Sequence, residues 1–136
     1  EQLGIAVGLH LDPAAPRVLA KESDVRMITL NLAQNALHAM PSGGTLDVAI
    51  RQAGDRVEVV FADTGVGIAA ADLDRIFDPF FSRRADGSQG TGLGLAISRA
   101  LARGFHGDIS VASRPGEGSR FTLNLPEAAV SPLLHA

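Results

Sequence analysis

Apolar and polar positions change their period several times along the chain, and each change marks an element. "IAVGLHL" (5–11) alternates large apolar residues with small or polar ones and predicts a strand. Two prolines in "LDPAAPRVLA" turn the chain into a short second strand around Arg17 to Leu19. From Ser23 or Asp24, either a suitable N-cap, a helical repeat runs to about Met40, where Pro41 and "SGG" stop it. "TLDVAIRQ" and "RVEVVFAD" return to a period of two and are joined by "AGD", whose Gly54-Asp55 suits a hairpin turn. The glycine-punctuated "DTGVGI" leads into a short helix over "AADLDRIF" (70–77). Asp78 to Gly90 shows no period, and loops of that length in compact domains commonly serve function. "TGLGLAISRALARG" predicts a helix with Gly104 as its C-cap. "DISVASRPGEGSRFTLNLP" predicts a closing strand pair around a Pro-Gly turn, and "EAAVSPLLHA" a frayed tail.

One helix departs from its own pattern. Asn31, Asn35 and His38 fall at i, i+4 and i+7, so a polar stripe runs along a largely apolar helix. Asparagine is a poor helix-interior residue because its amide competes with the backbone for hydrogen bonds, so the stripe asks for a reason. Composition narrows the choices. At 136 residues, 46% hydrophobic and 20% charged, the chain fits one α+β domain with a mixed sheet and about three helices. A net charge of −3 offers no basic field for nucleic acid. The absence of cysteine removes disulfides, thiolate catalysis and cysteine-held metals. No apolar run is long enough to span a bilayer. The chain opens at "EQLGIAV" with neither a signal peptide nor an obvious start, and reads as a piece of something longer.

Glycines cluster at "DTGVGI" (63–68) and "GTGLGL" (90–95), the second opening a helix, where uncovered backbone amides suit phosphates. Two familiar phosphate motifs fail the test. A P-loop would need a Lys-Ser/Thr pair after the glycines, and a dinucleotide fingerprint a glycine at Leu95 and a strand immediately before. Each cluster alone fits a tight turn or close helix packing equally well. Asp63, ending an apolar strand, is either an Asx-turn residue or the acceptor for a ligand amine. The two readings differ in the burial they predict.

The order of the parts is more specific. Asn31–Asn35, Asp63-x-Gly65-x-Gly67, "FDPFF" (77–81), "GTGLGL" (90–95) and "GEGSRFTLNLP" (116–126) follow one another. That order resembles the N, G1, F, G2 and terminal boxes of the catalytic ATP-binding domain of two-component sensor histidine kinases. The resemblance runs from about Ile5 to Pro126. It implies a two-layer Bergerat-type α/β sandwich over residues 1–126, a mobile ATP lid over about 69–90, and a tail over 127–136. The sheet would be five-stranded and mostly antiparallel. It also implies that Asp63 accepts from the adenine amine, that Gly65 and Gly67 let the backbone approach the base, and that Ile68 and Thr122 join the ATP site. Asn35 would hold Mg²⁺ through its side-chain oxygen, with Asn31 supporting the phosphate and metal site one turn earlier. Gly90, Thr91, Gly92, Leu93, Gly94 and Leu95 would cradle the phosphates, with Phe80 and Phe81 as packing anchors in the lid. His38 stands where the family commonly has lysine or arginine, and is either a phosphate contact or a plain surface histidine. Arg83 and Arg84 would supply charge from the lid, or remain solvated. Ala39 occupies a position that is often aromatic or hydrophobic, so stacking on adenine there is not expected.

The resemblance also bears on the reaction. The gyrase and MutL ATPases share the fold and carry a glutamate one turn before the metal-binding asparagine, where it activates water. Here that position is Asn31, and an amide is no general base at neutral pH. Phosphoryl transfer to a histidine on a separate helical dimerisation domain is therefore expected, with a response regulator as the indirect partner. A non-catalytic nucleotide-binding scaffold and an ATPase are the alternatives. None of His10, His38, His106 and His135 lies in the "HE(L/F)" setting of an acceptor histidine, so the chain is expected to bind ATP or ADP without phosphorylating itself. A cytoplasmic, monomeric domain follows from that reading, on a full-length protein free to be membrane-anchored.

Overall fold

The structure, a computed structural model, describes residues 4–13, 17, 18, 20–81 and 94–128. The elements are β1 (Ile5–His10), α1 (Glu22–His38), β2 (Gly44–Ala53), β3 (Arg56–Asp63), α2 (Ala70–Leu73), α3 (Gly94–Gly104), β4 (Asp108–Ser113) and β5 (Ser119–Pro126). They form one five-stranded sheet in the order β1-β2-β3-β5-β4. Only β1 and β2 run parallel, joined through α1, and the other neighbours are antiparallel. The α+β fold with a mixed sheet is as expected. Among the described residues, no helix is long and apolar enough to cross a membrane.

The core lies between one sheet face and the helices. On α1, Ile28, Leu32 and Ala36 recur every four residues and are buried, and Met40, just past the helix end, continues the row. They meet Leu46, Phe61, Phe121, Leu123 and Leu125, which strand alternation places on one face. Asn31 and Asn35 each precede a member of that buried row, so the polar stripe runs along the rim of the core. α3 is pinned to β4 by Arg99, which donates to Asp108 Oδ1 at 3.0 Å and lies 4.5 Å over the Phe77 ring.

Several element boundaries differ from expectation. α1 begins at Glu22 with Lys21 as the N-cap, which makes no side-chain capping bond. Ser23 and Asp24 lie inside the first turn instead, where Glu22 and Asp24 suit the helix dipole. Of the strand expected at 17–19, Leu19 lies outside the described residues, and Val18 makes an isolated bridge to Glu127. α2 closes after Leu73 and continues as turns rather than helix to Phe77. α3 ends in a left-handed residue, but that residue is His106 (φ 66°) and not Gly104. The Gly107 amide reaches back to the Ala102 carbonyl at 2.9 Å and the His106 amide to Arg103 at 3.0 Å, a Schellman closure two residues later.

Candidate nucleotide-binding site

The site has two ends, one built at the edge of the sheet and one between helices. At the sheet end, register pairs Asp63, the last residue of β3, with Ser119, the first of β5. Asp63 is buried, at 7% exposure. Its Oδ1 accepts from the Gly65 amide at 2.9 Å and the Ser119 amide at 3.3 Å. Its Oδ2 makes no hydrogen bond among the described residues, and no side-chain nitrogen or oxygen there is both wholly buried and unpartnered. Oδ2 is therefore an open acceptor in a largely desolvated setting. Burial pushes the Asp63 carboxyl above the usual carboxylate range, against the lowering effect of the Gly65 and Ser119 amides. Oδ1 makes the Asx turn with the Gly65 amide, and Oδ2 keeps acceptor capacity among the described residues.

The loop after Asp63 is held on both sides. The Val66 amide donates to the Ala39 carbonyl at 2.9 Å, and the Gly116 amide to the Val66 carbonyl at 2.7 Å. The Ile68 amide donates to Ser113 Oγ at 2.8 Å, while Ser113 donates to the Gly118 carbonyl and so takes its bond with Ser119 Oγ as acceptor. A Cβ on Gly65 would overlap the Ala39 carbonyl, and one on Gly67 (φ +76°) the Arg114 carbonyl. At these two glycines protein backbone approaches protein backbone too closely for a Cβ.

At the helical end, Asn31 Nδ2 donates to Ser98 Oγ at 2.9 Å and to the Gly94 carbonyl at 3.2 Å, joining α1 to the first residue of α3. Asn35, half-buried one turn further along α1, makes no side-chain hydrogen bond among the described residues. Its amide oxygen fits the single protein ligand of a hard cation that brings waters and substrate phosphates as its other ligands. His38 is exposed in the last turn of α1. Leu95 packs its side chain against the core, leaving only its backbone for a ligand.

Two expected site residues do not join the cluster. Thr122 pairs with Val60, and alternation places both on the sheet face opposite Asp63, whereas Ser119 takes the position beside Asp63. Phe80 is no packing anchor. It has φ 69° and is 76% exposed, while Phe81 packs against the core beneath Arg75, 4.8 Å from its ring. Arg83, Arg84, Gly90, Thr91, Gly92 and Leu93 lie outside the described residues. Three serines were missed. Period-two alternation through Phe121 already selects Ser119 over Thr122, and Ser98 is a lone hydroxyl in the apolar row of α3. Ser113 carries no signal apart from its neighbours.

A buried carboxylate at the sheet end and, among the described residues, an asparagine with no side-chain hydrogen bond at the helical end make a candidate ligand site on an α+β fold. A family model described as histidine kinase-, DNA gyrase B-, and HSP90-like ATPase matches residues 20–129, and the chain belongs to that family. The sensor histidine kinase ZraS of Klebsiella oxytoca is 42% identical over 123 residues, covering 90% of this chain and 26% of its own length. The sensor-like histidine kinase SenX3 of Mycolicibacterium smegmatis is 39% identical over 118 residues, covering 85% of this chain and 31% of its own. This chain thus spans between 26% and 31% of these relatives' lengths. Full-length ShkA in complex with AMPPNP superposes with a TM-score of 0.83 at 32% identity, covering 96% of this chain and 27% of that one. The nucleotide-free catalytic domain of the histidine kinase ThkA gives 0.82 at 27% identity, covering 94% and 84%. The fold is that of the catalytic ATP-binding domain of sensor histidine kinases.

Proposed function

We propose that this domain binds Mg-ATP with the base at Asp63 and the phosphates beside Asn35 and the start of α3. It then donates the γ-phosphoryl group to a histidine on a separate helical dimerisation domain of the same sensor kinase, with a response regulator further downstream. A ring nitrogen of that histidine attacks the γ-phosphorus as the bond to the β–γ bridging oxygen breaks and ADP leaves. A bound Mg²⁺ supplies charge neutralisation at the phosphates, and Asn35 is the residue that would hold it. Asp63 orients the base, and the rest of the work is positioning.

The observation that carries the choice of transfer over hydrolysis is Asn31. The side chain that would have to activate water is an amide, and its NH₂ group is committed to Gly94 and Ser98. Incubation with γ-labelled ATP and Mg²⁺ is expected to leave this chain unlabelled and to hydrolyse ATP slowly. Adding the helical domain of the same kinase is expected to put label on that domain. Asn35→Ala is expected to abolish the Mg²⁺ dependence of ATP binding while adenosine still binds. Rapid steady-state hydrolysis would favour an ATPase, and ATP binding without transfer a scaffold.

A further inference from the structure

The most deeply buried polar side chain among the described residues is Ser98, at 0% exposure. It lies one turn after Gly94 and one before the equally buried Ala102, on the side of α3 that meets α1. Alanine would fill that space without a hydroxyl, and a hydroxyl out of water is costly unless bonded. Its partner is Asn31 Nδ2, at 2.9 Å, and the same amide group reaches the Gly94 carbonyl at 3.2 Å. The Asn31 amide is therefore oriented by two acceptors, both on α3. With Ser98 removed, one N–H loses its acceptor and a single bond is left to hold the rotamer.

Asn31 stands one turn before Asn35 on α1, so whatever fixes Asn31 against Gly94 also fixes the register of α1 on α3. We infer that Ser98 is a positioning residue of the phosphate end: acting through Asn31, it holds the first turn of α3 at its place beside Asn35. This rests on the reading that the domain binds Mg-ATP. The sheet end, built from Asp63, Gly65 and Ser119, shares no hydrogen bond with this pair. Loss of Ser98 therefore loosens the hold on phosphates and spares the hold on the base.

Calorimetric titration of the whole chain with Mg-ATP and, separately, with adenosine tests this. Ser98→Ala is expected to weaken Mg-ATP by about tenfold and to leave adenosine within about twofold. Asn31→Ala combined with Ser98→Ala is expected to bind Mg-ATP no more weakly than Asn31→Ala alone, because a residue acting only through Asn31 has nothing further to remove. Equal losses for Mg-ATP and adenosine, additive losses in the double variant, or no loss at all would each overturn the inference. If Ser98→Ala melts too early to titrate, Ser98→Cys, with a weakly bonding sulfur of similar size, provides the same comparison. A wild-type chain that binds no nucleotide would instead sink the proposed function.

Discussion

At the scale of single residues, the two oxygens of Asp63 differ. Oδ1 closes the turn through Gly65 and Ser119, while Oδ2 has no hydrogen-bond partner among the described residues. Because burial raises its pKa, the native state holds this proton more readily than the unfolded chain. The Asp63 contribution to stability is therefore greatest in acid and falls as pH rises from the ordinary carboxylate value through the raised native one. Asp108 has the opposite sign. Burial opposes its charge, but hydrogen bonds from Arg99, the Ile109 amide and Arg103 outweigh it and hold the carboxyl below the ordinary range. Its contribution is present above the ordinary value and is lost on acidification. With the base held as proposed, the ionised carboxylate is the stronger acceptor for an adenine amine, so adenosine affinity is expected to weaken on acidification at a pH above the ordinary carboxylate range. Asp63→Asn is expected to lose about tenfold in affinity and that pH dependence with it. Titrations across the acid range decide this, and an unchanged profile in the asparagine variant would count against the assignment. Asp63 was legible from sequence because it ends an apolar strand before a glycine turn. The hydroxyl beside it was not read correctly, since Thr122 and Ser119 share one motif and only strand parity separates them.

At the scale of elements, the three helices and five sheet strands among the described residues are legible from periodicity, whereas several of their ends are not. The end of α3 shows why. Glycine is the usual left-handed terminator, but here two backbone bonds from His106 and Gly107 close the helix, and Arg56 Nη1 grips the His106 carbonyl at 2.7 Å. A long-range contact thus selects a terminator that local propensity ranks below Gly104. Left-handed backbone is strained for histidine, so His106→Gly is expected to raise stability by about 0.5–1 kcal/mol, read as a higher melting temperature. Gly67→Ala is expected to move the other way, by about 2 kcal/mol or more, since positive φ and overlap with the Arg114 carbonyl both oppose it. In the segment expected as a strand at 17–19, Val18 bridges Glu127 and the Arg17 carbonyl accepts from the Ala128 amide at 2.7 Å, both just past the end of β5.

At the scale of the whole molecule, the helix layer does not cover the sheet evenly. Among the described residues β1 is an edge strand paired only with β2, and Val7 and Leu9 on it, with Leu11 just beyond, are 64%, 65% and 63% exposed. Apolar edges of this kind favour association between copies. Leu9→Lys is expected to change stability by no more than about 0.5 kcal/mol and to reduce self-association at high concentration, as followed by light scattering. A large loss of stability would mean that Leu9 is part of the core.

α1 touches both ends of the site through two separate attachments. The carbonyl of its C-cap residue, Ala39, holds the loop after Asp63, and its middle, at Asn31, holds the start of α3. The helix is in effect a crankshaft. A push on it from a neighbouring domain would be felt at both attachments, the loop after Asp63 and the start of α3.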